Sequence, residues 1–191
     1  LSPYDSCRLG HMNIFFFFFY PFTTKSYFDR KQFIQDVTLS QRLMDDMIDL
    51  ELIKIVGIID KIQEDPEPEE VKRAELSLWE KVFAAAYLGR RTGLGVTAVG
   101  DAVAAMGLKY GSPGATQFID YVTHILSVAS YNASVNLAKT RGSFPVFDHK
   151  QEDSSCLFLD RMMKDPLFNL KAYKKYGRRN LGLGTLCNLT D

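Results

Sequence analysis

Residues Arg90–Phe147, RRTGLGVTAVGDAVAAMGLKYGSPGATQFIDYVTHILSVASYNASVNLAKTRGSFPVF, are the most orderly part of the chain. Thr92–Val99 predicts a short strand whose glycines allow close packing, then a short helix over Asp101–Met106 that Gly107 ends. Ser112 and Pro113 supply an N-cap and a first-turn proline, the pair that opens a helix. Phe118, Val122, Ile125, Ala129, Ala133 and Leu137 follow at steps of three and four, and Gly142 terminates the stripe. About 28 residues at ~1.5 Å rise give a rod of roughly 42 Å. Phe144-Pro145-Val146-Phe147 packs its exit.

Upstream, Asp29 is a fitting N-cap for a helix that runs to Gln63, with Phe33, Val37, Ser40, Met44, Met47 and Glu51 on one face. Ile34, Leu43 and Ile48 broaden that face, and Gly57 weakens the helix by roughly 1 kcal/mol. Glu64–Glu70 (EDPEPEE) is an acidic, proline-punctuated connector. A second helix follows, with Val71, Leu76, Trp79, Phe83 and Tyr87 towards the core and Gly89 as its stop. Downstream, helices are expected over Leu157–Met163 and Pro166–Tyr176. Cys7 to Phe22 reads as loop, then a buried strand over Ile14–Tyr20 (IFFFFFY) closed by Pro21. Left unpaired, its consecutive phenylalanines are an aggregation hazard.

At 191 residues the chain fits one domain with a sizeable core. Lys plus Arg equals Asp plus Glu at 23 each, so no nucleic-acid or acidic-membrane partner is announced. The phenylalanine run is far shorter than the ~20 residues of a membrane-spanning helix. It also lacks the basic flank and cleavage site of a signal peptide. Cys7, Cys156 and Cys187 are too few and too scattered for a disulfide framework or a zinc site, which suits a reducing cytoplasm.

Several motifs invite chemistry and have plainer explanations. Gly93-Leu94-Gly95 with Gly100 suggests a phosphate loop, but the spacing matches no nucleotide fingerprint, and strand–helix packing is the better use. Asp45-Asp46-Met47-Ile48-Asp49 spells DDxxD, the Mg²⁺-diphosphate motif of isoprenoid synthases; the second acidic motif those enzymes need is absent, so a solvated helix face is preferred. His11, His124 and His149 have no partner at metal-ligand spacing. Cys156 is an incidental thiol, and Cys187 has no motif around it.

Cys7 differs in its setting, Leu1-Ser2-Pro3-Tyr4-Asp5-Ser6-Cys7-Arg8-Leu9-Gly10-His11-Met12-Asn13-Ile14. This resembles the motif P-Y-[DE]-S-C-x-L-x-x-x-N of the catalytic subunit of ribonucleotide reductases. The likeness continues through Tyr20-Pro21-Phe22-Thr23, the Arg42–Glu51 helix, Leu78-Trp79-Glu80-Lys81, the Arg90–Phe147 block with its R-G-x-F-P exit, and Tyr176-Gly177-Arg178-Arg179-Asn180. In style it is closest to the adenosylcobalamin-dependent class, with the diiron-dependent class a near rival.

The resemblance implies an α/β fold: residues 1–191 as an incomplete piece of a ten-stranded α/β barrel, mostly helical here with a few short strands, truncated at both ends. It implies radical reduction of ribonucleoside di- or triphosphates to deoxyribonucleotides, with Cys7 as one half of a redox-active dithiol and adenosylcobalamin as cofactor. It further implies a thioredoxin-type reductant, dNTP effectors in the full subunit and room for a homodimer, all in the cytoplasm without nucleic acid or membrane. In the family the thiyl cysteine, with its Asn and Glu, precedes the Cys7 motif. A P-T-G-T phosphate loop follows the Arg-Arg-Asn segment, where this chain has Leu181–Asp191 instead. The 191-residue chain is therefore expected to be inactive alone and poorly soluble. A non-catalytic remnant or helical interaction module is the alternative, and a Mg²⁺-dependent isoprenoid-type enzyme a remote one.

Overall fold

The computed structural model describes residues 3–152 and 157–183. The scaffold of the site is a parallel sheet: β1 (Arg8–Asn13) lies beside β4 (Thr92–Thr97) in register from Arg8↔Thr92 to Asn13↔Thr97. On its other side β4 pairs in parallel with β5 (Gly182–Leu183). Between β1 and β4 come a small antiparallel ribbon, β2 (Phe18–Phe19) with β3 (Tyr27–Phe28), and two long helices, α1 (Arg30–Glu64) and α2 (Glu69–Gly89). After β4 follow α3 (Val99–Ala105), α4 (Pro113–Arg141) and the short helices α5 (His149–Glu152), α6 (Leu157–Met163) and α7 (Leu170–Tyr176). The result is mostly helical with a few short strands, and the described sheet is open, not a closed barrel.

Helix starts obey local chemistry. Asp29 caps α1 by accepting from the Gln32 amide at 3.0 Å, and Ser112 caps α4 through the Ala115 amide at 3.3 Å. The predicted α4 stripe is buried throughout, from Phe118 to Leu137, and Gly142 ends the helix at φ 80°. Gly177, at φ 67°, is needed twice over: an added Cβ would lie 2.4 Å from Phe147 Cε1. Gly10 lets β1 sit down on α1, since a Cβ there would meet Met44 Sδ at 3.0 Å.

The phenylalanine run corrects an expectation. It is not one continuous buried strand: Asn13 Oδ1 accepts from the Phe15 amide at 3.1 Å and winds Ile14–Phe17 into a 3₁₀ turn, and only Phe18–Phe19 of the run are extended, as β2. The three-residue period stacks Ile14 and Phe17 on one face, both buried, while Phe16 is 81% exposed. The ladder belongs to the preceding hexapeptide RLGHMN, read from sequence as loop because it has no apolar run.

The core is one cluster in which Phe17, Phe33, Val37 and Met44 meet Leu94 and Val96 of β4 and Val122, Leu126 and Val135 of α4. The expected faces of the long helices need adjusting. On α1, Leu43 and Met47 are exposed while Gln41 and Asp45 are buried. On α2, Val71 and Tyr87 are exposed, and among the described elements this helix packs chiefly on α1. Towards the C-terminus the helix expected from Pro166 begins only at Leu170, where Asn169 Oδ1 caps the Ala172 amide at 3.1 Å. No described helix is long and apolar enough to cross a membrane.

Candidate functional site

Cys7 stands immediately before β1, at the end of the sheet where β4 also begins. It is a half-buried free thiol. Both its neighbours are fixed by charge. Arg8 is buried and grips Glu51 of α1 through its guanidinium, with Nε to Oε2 at 2.5 Å, while its Nη1 donates to the Ser6 carbonyl at 2.8 Å. On the other side, Asp5 is paired with Arg91, the residue before β4. The Arg8 amide also donates to the Arg91 carbonyl at 3.1 Å, which joins the cysteine segment to β4 at its first rung. Burial pushes the Cys7 thiol up from its ordinary value; Arg8 opposes this, Asp5 adds to it and Arg91 opposes it.

Behind this segment lies a buried ionic cluster. Asp45, 2% exposed, accepts from Arg90 Nε and Nη2 at 3.1 and 2.9 Å, from Arg179 Nε and Nη2 at 3.0 and 3.1 Å, and from Arg141 Nη1 at 2.8 Å. These arginines come from the ends of α2 and α4 and from the approach to β5, so one carboxylate ties four segments together. Asp46 pairs with Arg141 at 2.5 Å and Asp49 with Arg90 at 2.8 Å. Burial alone would raise the Asp45 carboxyl, but hydrogen bonds and charge from Arg179, Arg141 and Arg90 hold it below its usual value. The cluster also sets the backbone at Arg90, which adopts a left-handed φ of 42° as it leaves α2 and turns the chain into β4.

The DDxxD carboxylates are thus engaged by arginines rather than arranged for a cation, which overturns both the Mg²⁺-dependent isoprenoid reading and the solvated-face reading of Asp45. Gly93-Leu94-Gly95 lies within β4 and Gly100 within α3, so neither belongs to a phosphate loop. The histidines are dispersed. His11 sits on β1 with a buried Nε2 that has no hydrogen-bond partner, facing a cavity of about 320 Å³ with Gln32 and Asp36. His124 of α4 pairs with Asp165 at the surface, and His149 packs edge-on against Phe147 and Tyr173. Cys156 and Cys187 lie outside the described residues.

Further polar links fasten β5 to the rest. Gln41 Nε2 donates to Thr92 Oγ1 at 3.2 Å, Thr92 Oγ1 to the Asn180 carbonyl at 3.0 Å, and Asn180 Nδ2 to the Gly89 carbonyl at 2.5 Å. Ser134 Oγ donates to the Arg179 carbonyl at 2.5 Å. The TGLGV strand and the Arg178-Arg179-Asn180 segment, far apart in sequence, are therefore built as one unit with the cysteine strand.

That arrangement coincides with a known pattern, since a family model of the ribonucleotide reductase barrel domain matches residues 2–185. The chain belongs to the ribonucleotide reductase barrel-domain family. Among curated relatives it is similar to the vitamin B12-dependent ribonucleoside-diphosphate reductases of Mycobacterium tuberculosis strains CDC 1551 / Oshkosh and ATCC 25618 / H37Rv. Each is 29% identical over 147 residues, which cover 77% of this chain and 17% of the relative. For a ribonucleotide reductase barrel segment, the charged residues around Cys7 are what reading the sequence missed. Asp5 and Arg91 are 86 positions apart, and no local pattern foretells their pairing. Asp45 did leave a signal: with Gln41 it places polar side chains on a stripe that is otherwise apolar, as a buried polar partner requires.

Proposed function

We propose that this chain is part of the catalytic barrel of a vitamin B12-dependent ribonucleoside-diphosphate reductase, and that Cys7 is one of the two thiols that supply electrons to the ribose. The observation that carries the reading is the position of Cys7 at the head of a parallel strand pair, inside a segment matched to the barrel domain almost end to end. In this reading β1, β4 and β5 are three neighbouring strands of a ten-stranded barrel. The chemistry is balanced by the dithiol: two thiols lose two electrons and two protons to become a disulfide, the ribose 2′-hydroxyl leaves as water, and a C–H bond takes its place. An external dithiol then restores the pair by exchange. A thioredoxin-type reductant, dNTP effectors and a homodimeric assembly belong to the same proposal.

Adenosylcobalamin would supply the radical. Among the described residues, three cavities measure about 200, 290 and 320 Å³, near the lower bound of ~300 Å³ for pockets that hold drug-sized ligands, so none of these three encloses a group as large as a corrinoid. What these residues do is hold a thiol in place, with Arg8 and Arg91 anchoring the two sides of Cys7 to α1 and β4.

The test is Cys7→Ser in the full-length polypeptide, assayed for reduction of a ribonucleoside diphosphate with adenosylcobalamin and a dithiol. Sustained turnover should be lost. In the unsubstituted protein, incubation with substrate and no reductant should leave Cys7 in a disulfide by peptide mass spectrometry. Undiminished turnover of the variant, or a Cys7 that stays a free thiol through catalysis, rejects the redox role. Turnover that is indifferent to adenosylcobalamin rejects the class.

A further inference from the structure

Helix α1 is apolar on two opposite faces. Phe33, Val37, Met44, Ile48, Ile55 and Ile62 are buried against the rest of the molecule. Leu39, Leu43, Met47, Leu50, Ile53 and Val56 recur at steps of three and four on the face turned away, and are 45–66% exposed. A helix that is hydrophobic all round is a buried helix, so the outer stripe calls for a cover. In an α/β barrel the helices form the outer ring, so completing the sheet covers the inner face of α1 and leaves this stripe outside.

Symmetry and charge identify the cover. The midpoint of Leu39 and Val56 falls between residues 47 and 48, and that of α1, Arg30–Glu64, at Met47. An antiparallel second copy therefore sets Leu39 against Val56 at both ends, as a two-fold contact requires. The first turn of α1 has no acidic residue and carries the exposed Arg30 and Lys31, although its dipole favours anions there. Residues 64–70 hold Glu64, Asp65, Glu67, Glu69 and Glu70 with no basic residue among them, and Glu69 is met by Lys72. Antiparallel pairing brings the basic start of one helix to the acidic end of the other, whereas parallel pairing would set like charges together. Asp46 and Asp49, beside the centre, are already held by Arg141 and Arg90. A helix face about 52 Å long and ~10 Å wide offers on the order of 500 Å² in projection, against the ~800 Å² per partner of a standard interface. Exposed Tyr27 at one end and the acidic loop at the other extend it.

We propose that α1 is a dimerisation helix: two copies of this chain pair antiparallel across the Leu39–Val56 stripe, with Lys31 of each beside Glu64 of the partner subunit. The proposal gives the homodimeric assembly put forward above a face, rests on the barrel reading for the outward direction of the stripe, and makes no use of Cys7.

The experiment is sedimentation equilibrium and bis-maleimide cross-linking of the full-length polypeptide. The unsubstituted protein should be a dimer. L43D with L50D, each present twice in a two-fold contact, should raise the dissociation constant about a hundredfold or more. E64K and K31E should each weaken the dimer, and an equimolar mixture of the two should restore it, because both ends then join opposite charges. M47C, close to the two-fold axis, should link to itself. L39C should not, since its two copies lie ~26 Å apart, but it should link to V56C. A monomeric full-length protein overturns the proposal, and an M47C that resists maleimide in that monomer makes the rest of the polypeptide the cover. A dimer indifferent to L43D with L50D overturns it by placing the contact on another face. Self-linking of L39C, or a mixture no tighter than its parts, rejects the antiparallel pairing. Each substituted side chain is exposed, and circular dichroism checks that every variant folds. Mass and linkage are read without turnover, so loss of activity in C7S beside a dimer indifferent to L43D with L50D rejects this face and keeps the role of Cys7.

Discussion

Replacing Asp45 by Asn should loosen the sheet by an amount the structure allows one to estimate. The carboxylate accepts from three guanidinium groups and is almost wholly buried. An asparagine of the same shape brings no charge, turns an NH₂ towards donors and leaves those arginines short of a counter-ion. Removing one partner from a buried ionic group costs about 3–5 kcal/mol, a large part of the ~5–15 kcal/mol that holds a domain together. Hydrogen exchange in the full-length polypeptide gives the readout. At ~1.4 kcal/mol per tenfold, amides of Thr92–Thr97 should exchange about two to three and a half decades faster. Asp46→Asn is the control. Asp46 pairs with Arg141 but is 41% exposed, and such pairs contribute about 0–1 kcal/mol. Acid should mimic the substitution. Because arginines lower the folded-state value of Asp45, its contribution is complete above the unfolded value of about 3.9 and is lost as pH falls through the folded one. D45N should be flat through that window. A D45N protein whose β4 exchange changes no more than that of D46N refutes the view of Asp45 as the tie between these segments.

Three further substitutions probe elements the sequence left ambiguous. Phe16→Ser should change the unfolding free energy by less than about 0.5 kcal/mol and improve solubility, whereas Phe17→Ala should cost about 3–5 kcal/mol, because the 3₁₀ turn exposes one ring and buries the other; equal costs in denaturant titrations would favour a strand there. Gly57→Ala should stabilise α1 by about 1 kcal/mol, since an added Cβ meets nothing within 4 Å, and a lowered melting temperature would show that this stretch is not the exposed helix seen here.

Local chemistry is legible in the order of residues. Capping by Asp29 and Ser112, the proline that opens α4, the glycines that end α2 and α4, and the strand at TGLGV are decided within a few residues, where backbone preference and side-chain period act directly. Cys7 stands out for the same reason, because its distinctive neighbours are contiguous. The elements that sequence patterns misplace share a cause as well. RLGHMN becomes a strand only because β4 and the floor of α1 are there to receive it, and IFFF turns because Asn13 caps it.

What the sequence by itself determined was therefore the order and ends of the long helices, the β4 strand and the family to which the cysteine motif points. Tertiary structure alone decided that Asp45 faces Arg90, Arg141 and Arg179 instead of a metal, and that Asp5 and Glu51 reach the arginines on either side of Cys7. The reason is range. Capping and periodicity act over a turn of chain, whereas a buried charge must find its counter-charge wherever folding brings one, here across 43 to 134 residues.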